Sequence, residues 1–238
     1  MGKPLIILSA PGPSFSAEAE RAHLHATAGH DVLFMNSGSS AWDGFNRHWV
    51  EALNRVPEGV THFAQLHSDI IPDLDPPWLD VLFDELTRLD ADMVSVAMPV
   101  KDGRGLVSCG IGDTIDPWHP RKVLTLDEVC ALPVDTFDAG DLGCPGWPLL
   151  HNTGCWIADL RRPCFHKTNA DGSLAVFFDF PRRVVKDPAT GQWLVGGISE
   201  DWNFSLKLFA AGARTFITRK VRAVHWGSCP WPNYKSPT

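Results

Sequence analysis

The first hundred residues alternate short apolar runs with amphipathic segments, and this alternation constrains the fold more than any other feature. Apolar runs that are typical of buried strands occupy residues 4–10, 31–35, 61–66 and 92–99. Segments with helical periodicity lie between them, at residues 16–27, 45–56 and 77–86. Strand and helix repeated in this way predict a mixed, mostly parallel sheet flanked by helices. Ligands of such sheets bind at the carboxyl ends of the strands, which is where we look for chemistry.

The second half of the chain is less regular. Thr125 and Glu128 have the spacing of a capping box, and Ser199 is placed to cap a helix that continues to about residue 211. Further strands are predicted at residues 151–160, 215–218 and 221–224, and residues 135–150 read as loop. Residues 166–192 form a long candidate mobile loop for an acceptor, because long loops in compact domains are often functional.

The length of 238 residues suits a single α/β domain, with a nucleotide-binding half at 1–100 and an acceptor and catalytic half at 101–238. The net charge of −7 argues against binding to phosphate backbones through clustered lysines and arginines, although a local basic groove stays open. The chain has no run of about 18 apolar residues, so no membrane span is predicted. The six cysteines lack regular spacing, and the amino terminus lacks a signal peptide, which together predict a cytoplasmic protein.

Two strand ends carry side chains that suit a divalent cation. The third strand ends in His67-Ser68-Asp69, and a carboxylate at the mouth of a sheet can bind Mg²⁺ or Mn²⁺. The last strand ends at His225, whose neutral imidazole can also be a metal ligand. The alternative is that Asp69 only starts a turn and that His225 is a partly buried histidine beside a tryptophan.

A pair of acids opens the last helix. Glu200 and Asp201 follow the glycine-rich approach that ends at Gly197, and either carboxylate could act as a general base toward an incoming hydroxyl. The helix dipole also favours acids in a first turn, so the pair has a purely structural interpretation as well.

Loops in the first half could contact a nucleotide. Amides, hydroxyls and an arginine there suit a base, a ribose and a phosphate. The predicted donor-binding residues of these loops are Ala10, Pro11, Asn36, Ser39, Asn46 and Arg47. Taken alone, the loop after the second strand also reads as an ordinary capped loop.

The order of these motifs resembles that of GT-A glycosyltransferases, and in particular the large family that includes bacterial inverting enzymes. In that family a strand ends in a DxD-type motif, here His67-Ser68-Asp69, and a later xED motif opens a helix, here Ser199-Glu200-Asp201. The resemblance implies a Rossmann-like GT-A fold in which Asp69 and His225 bind the metal. It also implies that Asp201 is the catalytic base, with Glu200 on the acceptor side.

Asn152 and Gly154 fall where the family has a small-residue loop near the donor sugar. The resemblance therefore adds these two residues, with His67, Ser68 and Gly197, to the donor-binding residues. The first position of the DxD motif departs from the family, because it is His67 rather than aspartate. Donor contacts and metal preference are therefore the features that the resemblance predicts least well, including whether His67 contacts the metal or the ribose.

The resemblance implies a manganese- or magnesium-dependent transfer of a hexosyl or related group from a nucleotide-sugar, with a uridine diphosphate sugar favoured. A single displacement with inversion is expected, and retention stays open because the same fold hosts both. The acceptor could be a glycan, a protein, a small molecule or a hydroxylated nucleic-acid base. Alternatives are a catalytically weak nucleotide-sugar or glycan binding domain and a nucleotidyltransferase of related fold. The nucleotidyltransferase ranks low because the loop after the first strand has no basic residue.

Overall fold

The structure is a computed structural model that describes residues 5–11, 17–27, 29–37 and 41–235. The strands of the first half are β1 (Leu5–Pro11), β2 (Asp31–Ser37), β3 (Val60–Leu66), β4 (Ile70–Pro72), β5 (Met93–Val96), β6 (Leu106–Ile111) and β7 (Lys122–Thr125). Those of the second half are β8 (Thr136–Phe137), β9 (Leu149–Leu150), β10 (Cys155–Asp159), β11 (Arg182–Lys186), β12 (Trp193–Gly197), β13 (Thr215–Thr218), β14 (Ala223–Trp226) and β15 (Pro230–Pro232). The helices are α1 (Ala17–Thr27), α2 (Ala41–Asn54), α3 (Trp78–Arg88), α4 (Leu126–Ala131) and α5 (Glu200–Ala210).

A seven-stranded sheet in the order β2-β1-β3-β10-β5-β13-β8 forms the centre of the molecule. Strands β2, β1, β3, β5 and β13 run in one direction, while β10 and β8 run in the other. One apolar layer packs α1 and α3 against the sheet, through residues such as Ala22, Trp78 and Leu82. The opposite layer packs α2 and α5, through residues such as Trp49 and Phe204. The prediction of an α/β fold with a mixed, mostly parallel sheet is therefore confirmed.

Three smaller sheets surround this core. Strand β14 pairs with β15 on one side and β4 on the other, β6 lies between β7 and β9, and β11 pairs with β12 as a hairpin. The strand β14 is important for the site, because it places His225 opposite Ile70, next to the turn that contains Asp69. Among the described residues, no helix combines the length and the apolar character needed to cross a bilayer.

Local signals predicted the ends of helices well. Ser199 accepts a hydrogen bond from the Trp202 backbone amide at 3.4 Å, and Thr125 and Glu128 form the expected capping box. The strand predicted at 151–160 begins only at Cys155, because residues 151–154 make side-chain contacts instead of pairing with a neighbour.

Strand β6 was not predicted, because glycines interrupt its sequence. Gly110 lies so close to β7 that a Cβ atom there would be 2.1 Å from the Lys122 carbonyl oxygen. Only glycine permits this approach. Gly110 therefore interrupts the apolar pattern of the strand and also allows the strand to pair with β7.

The segment 166–192 has more structure than the predicted loop. Val176 and Phe178 are buried in the core, and the Trp49 indole donates a hydrogen bond of 2.9 Å to the Val176 carbonyl. The end of the segment forms β11, whose partner β12 leads directly into α5. What the sequence marks as one loop is thus a packed stretch followed by a hairpin.

A buried carboxylate joins α3 to the outer strand β8 of the central sheet. Glu85 accepts hydrogen bonds from Arg88 at 2.7 Å, from Lys220 at 2.6 Å and from the Thr136 hydroxyl at 2.5 Å. Burial alone would raise its pKa, but these three donors lower the pKa to about 2.

Glu85→Gln is therefore expected to lower the free energy of unfolding by about 3 kcal/mol at pH 7, which is what the lowered pKa is worth, because the buried carboxylate loses its charge-assisted bonds to the exposed Arg88 and Lys220. The folded-state pKa lies below the unfolded value, so this stabilisation is present above pH 4.5 and is lost as the pH falls toward 2. Urea unfolding at several pH values measures it. The control is Glu51→Gln in the half-exposed pair with Arg55, which should cost no more than about 0.5 kcal/mol. An equal loss in both variants would contradict the argument.

Candidate functional site

Three segments that are distant in sequence meet at one edge of the central sheet. They are residues 67–69 after β3, residues 152–154 before β10, and residues 199–201 at the start of α5. Because β10 is antiparallel to β3, its beginning meets the carboxyl end of β3, with Cys155 opposite Leu66. The His67 amide donates a hydrogen bond of 2.7 Å to the Gly154 carbonyl, which joins the first two segments.

Asp69 lies in the turn between β3 and β4 and faces two possible proton donors. Its Oδ2 atom is 2.5 Å from Lys101 Nζ and 3.5 Å from His225 Nε2. Burial alone would raise the pKa of Asp69, but hydrogen bonds from His225 and Lys101 lower that pKa well below its ordinary value. Asp69 is therefore a carboxylate at neutral pH, held in a cationic environment.

His225 is oriented by its second ring nitrogen. His225 Nδ1 lies 2.9 Å from the Pro99 carbonyl oxygen, and a carbonyl can only accept, so Nδ1 carries the proton. Nε2 faces Asp69 Oδ2 at 3.5 Å, so a proton or a metal ion can lie between the imidazole and the carboxylate. A hydrogen bond of this kind commonly fixes the tautomer of metal-binding histidines.

His67 packs inward rather than toward solvent. Its ring stacks on Phe45 with centroids 5.0 Å apart, and its Nε2 atom is 3.1 Å from the Gln65 amide nitrogen. Burial lowers the pKa of His67 to about 4, so the ring is neutral at neutral pH. Gln65 also donates to the Thr153 carbonyl at 2.7 Å and accepts from Ser9 at 3.2 Å, which fixes the amide and with it the histidine.

Asp201 lies in the first turn of α5 and points toward the segment before β10. The Thr153 hydroxyl donates to its Oδ1 atom, and the Asn152 amide lies 3.5 Å from its Oδ2 atom. Burial and the neighbouring Glu200 carboxylate raise the pKa of Asp201 to about 7, against the lowering effect of Thr153. A carboxyl group that titrates near neutral pH is suited to proton transfer.

Gly154 keeps these parts close together. A Cβ atom at this position would lie 2.4 Å from Ile70 Cδ1, 2.8 Å from Asn152 Oδ1 and 3.3 Å from His67 Nδ1. The side-chain oxygen of Asn152, Oδ1, also accepts a hydrogen bond of 2.8 Å from the Gly154 amide. No larger residue fits without moving the His67 ring or the side chain that contacts Asp201.

We expect Gly154→Ala to lower the free energy of unfolding by about 1–3 kcal/mol, because the added methyl group overpacks buried Ile70. Thermal unfolding followed by circular dichroism measures this loss. Gly103→Ala is the matched control, because a Cβ atom there has no neighbour within 4 Å. If the two variants unfolded alike, the close approach at Gly154 would not matter for packing.

Other predicted donor-binding residues lie away from this edge or already have partners. Asn46 bonds the backbone of Phe178 through both ends of its amide, at 2.7 and 2.8 Å, and so ties α2 to the packed stretch. Arg47 is exposed and pairs with Asp43 at 3.0 Å. Gly197 ends β12 and is exposed, four positions before Asp201.

The remaining predicted residues lie in the amino-terminal third. Ser68 is partly buried in the turn between His67 and Asp69. Ala10, Pro11 and Asn36 end β1 and β2, but their side chains lie outside the described ones, and Ser39 lies outside the described residues altogether. Of the predicted site, the structure therefore brings together His67, Ser68, Asp69, Asn152, Gly154, Glu200, Asp201 and His225.

Sequence reasoning missed three residues of this cluster. Gln65 is a polar residue inside an apolar strand, and that interruption was a signal that could have been used. Lys101 and Thr153 reach Asp69 and Asp201 through the tertiary fold, and neither belongs to a motif that marks it.

A metal would have few protein ligands here. Within the described part of the chain, no group of three or more histidine, cysteine, aspartate or glutamate side chains is arranged to hold a metal ion. Asp69 and His225 form a pair, which leaves most coordination positions to a substrate and to water. Mg²⁺ is often held in this way, by one or two protein ligands together with substrate phosphates.

Comparisons with known proteins leave function to be argued from these residues. No protein-family model matches the chain, and no curated protein matches it. Among solved structures, the chain is similar to A197 from STIV, with 12% sequence identity and a TM-score of 0.44. The alignment covers 93% of this chain and 85% of A197.

Proposed function

We propose that the chain is a metal-dependent glycosyltransferase of the GT-A type, which moves a sugar from a nucleoside diphosphate donor to an acceptor hydroxyl. The observation that carries this proposal is the position of Asp201. A carboxyl group with a pKa of about 7 lies at the same edge of the sheet as the Asp69–His225 pair, joined to it through Asn152, Gly154 and His67. A base and a cation-binding pair at the same edge of the sheet are the two parts that such a transfer requires.

The donor set at Asp69 and His225 fits Mn²⁺ or Mg²⁺. It offers a carboxylate oxygen and an imidazole nitrogen whose tautomer is fixed by the Pro99 carbonyl. Lys101 contacts the same carboxylate oxygen at 2.5 Å, so its ammonium group would have to move aside for a metal to bind there. When bound, the metal would neutralise charge on the diphosphate leaving group.

The chain's own residues account for the other requirements of the reaction. Asp69 and His225 would hold the metal that offsets the charge of the diphosphate, with Lys101 close enough to add a further positive charge. His67, which stacks inward on Phe45 and is uncharged at neutral pH, supports the turn that carries Asp69 next to the ribose position. A uridine diphosphate sugar is the donor that we favour, and the cytoplasm is the compartment, in keeping with six unpaired cysteines.

Asp201 takes the proton of the acceptor hydroxyl while that oxygen attacks the anomeric carbon. The bond to the diphosphate breaks in the same displacement, so the configuration inverts. Thr153 holds one oxygen of Asp201 in place, and burial together with the Glu200 carboxylate keeps the pKa of Asp201 high enough for the proton to be accepted near pH 7. Glu200 then lies on the side where the acceptor enters.

Calorimetric titration with a panel of nucleoside diphosphates and nucleotide-sugars tests the proposal, first with Mn²⁺ and then with EDTA. We expect one nucleotide to bind with metal and to lose most of its affinity with EDTA. The bound donor should also be hydrolysed slowly to the nucleoside diphosphate, which a binding domain without turnover would not do. If no nucleotide bound in the presence of metal, the proposal would be wrong.

A further inference from the structure

The β11–β12 hairpin presents an unusual face to solvent. Register pairs Val184 with Val195 and Lys186 with Trp193, so these four side chains share one face. Val184 is 64% exposed, Trp193 is 70% exposed and Val195 is 75% exposed. Large apolar side chains that are so exposed and so close together commonly mark a contact surface.

The other face of the hairpin is turned toward the body of the protein. Arg183 lies on that face, and its guanidinium carbon is 4.5 Å from the centre of the Trp118 ring. Val185 and Leu194 share the same side and are less exposed, at 37% and 47%. The Ile198 amide, at the base, donates to the Pro181 carbonyl at 3.2 Å. The hairpin is therefore anchored on one side and open on the other.

Cations flank the open apolar face. Arg182 is exposed at one end, with its guanidinium carbon 4.6 Å from the centre of the Phe180 ring. Lys186 is exposed at the other end, with its ammonium 6.0 Å from the centre of the Trp193 ring. The one acid of the hairpin, Asp187, is used by the turn, where it accepts from Ala189 and Thr190. The face is thus apolar in its middle and positive at its rim, on a chain whose net charge is −7.

We infer that this face docks on the surface of a bilayer that contains anionic lipid. A tryptophan and short aliphatic side chains suit the boundary between headgroups and acyl chains, and arginine and lysine suit anionic headgroups. The cytoplasmic leaflet is negatively charged, which matches the sign of the rim. The inference does not depend on the proposed glycosyl transfer.

Two other partners fit the face less well. Single-stranded nucleic acid binds through several stacking aromatics and a long basic groove, whereas this face has two valines, one tryptophan and two cations. A stable dimer buries about 800 Å² on each partner, and the three apolar side chains expose on the order of 400 Å². A fluid lipid surface needs neither a long groove nor a complementary partner of that size.

The position of the hairpin gives the docking a consequence. Strand β12 ends at Gly197, and only residues 198–200 separate it from Asp201. A bilayer bound to the hairpin would therefore lie close to the candidate base. Acceptors that lie at the membrane surface would be held near the site without any membrane-spanning segment.

Vesicle flotation with the whole chain tests the inference. The probes are phosphatidylcholine vesicles with and without phosphatidylglycerol, at low and at high sodium chloride. We expect binding to the anionic vesicles only, weakened by salt. Trp193→Ser should reduce binding about tenfold, and Lys186→Gln about fivefold. The matched controls on α1 are Leu24→Ser, a residue 66% exposed, and Arg21→Gln, which is also exposed; both should bind like the parent chain.

Several results would overturn the inference. Equal binding to neutral and anionic vesicles would remove the role of the cations, and no binding by the parent chain would remove the docking itself. Binding to single-stranded DNA without vesicle binding would assign the face to nucleic acid. A dimer that Trp193→Ser dissociates, again without vesicle binding, would assign it to a second copy of this chain. Because Trp193 and Lys186 are exposed, both hairpin variants should unfold at the same temperature as the parent chain. Equal unfolding temperatures would show that a loss of binding does not come from misfolding.

Discussion

Replacing the candidate base, Asp201→Asn, is expected to lower kcat for sugar transfer by about 10²- to 10⁴-fold, the usual contribution of general acid–base catalysis. Asparagine keeps the size of the side chain and can still bond Thr153, but it cannot accept the acceptor's proton. Steady-state kinetics with the donor identified by calorimetry measures the change. Donor affinity should stay nearly constant, because Asp69 and His225 are unaltered.

The control for Asp201 is an acid in an equivalent position elsewhere. Asp127 lies in the first turn of α4, as Asp201 lies in the first turn of α5. If Asp201 acted only on the helix dipole, Asp127→Asn and Asp201→Asn would have the same small effects on stability and leave turnover unchanged. Nearly full turnover in the Asp201 variant would show that the base has been assigned wrongly.

The pH dependence of Asp201 has opposite signs for activity and for stability. With a pKa of about 7 in the folded protein, Asp201 becomes a base as the pH rises through 7, and kcat should rise with it. The folded-state pKa lies above the ordinary value of 3.8, so the stability linked to the proton is present below pH 4 and is lost as the pH rises through 7. The difference in free energy of unfolding between Asp201→Asn and the parent should therefore shift in favour of the variant as the pH rises from 4 to 8.

The second large effect is expected at Asp69. Asp69→Ala removes the only carboxylate of the candidate metal pair and leaves Lys101 and His225 without their common partner. Metal-dependent nucleotide binding should weaken by at least about 100-fold, the upper end of the loss seen when metal-site residues are removed. Calorimetry with Mn²⁺ and the identified nucleotide measures this loss.

Asp73→Ala is the matched control for Asp69, because Asp73 directly follows β4 and forms a half-exposed pair with Arg222 at 3.7 Å. Its loss should leave nucleotide affinity unchanged. If Asp69→Ala bound the nucleotide as tightly as the parent, with the same dependence on metal, the cation site would lie elsewhere.

Part of the candidate site could be predicted because its signals are local. Asp69 follows an apolar strand, and Asp201 follows a capping serine, so each was placed at a strand or helix end from a few neighbouring residues. That the two acids share one site was implied by the resemblance to GT-A glycosyltransferases rather than by either local pattern. The α/β class follows from the same short-range periodicity.

The rest of the site depends on tertiary contacts that a local pattern does not encode. Thr153 determines the environment of Asp201 because β10 inserts antiparallel beside β3, and no sequence signal predicted that direction. Lys101 approaches Asp69 from a loop 32 positions away. Asn46 was predicted to contact a nucleotide from its residue type alone, whereas its amide is bonded at both ends to the Phe178 backbone.

The antiparallel strand β10 also determines when the chain can fold. It lies between β3 and β5, which both come from the first hundred residues and are not paired with each other. During synthesis, these two strands must wait for residues 155–159 before the sheet can close. Contacts of such long sequence separation slow folding and leave strand edges open to aggregation. Residues 1–100 should therefore not fold as an independent fragment, and cotranslational folding should be completed only after most of the chain has left the ribosome.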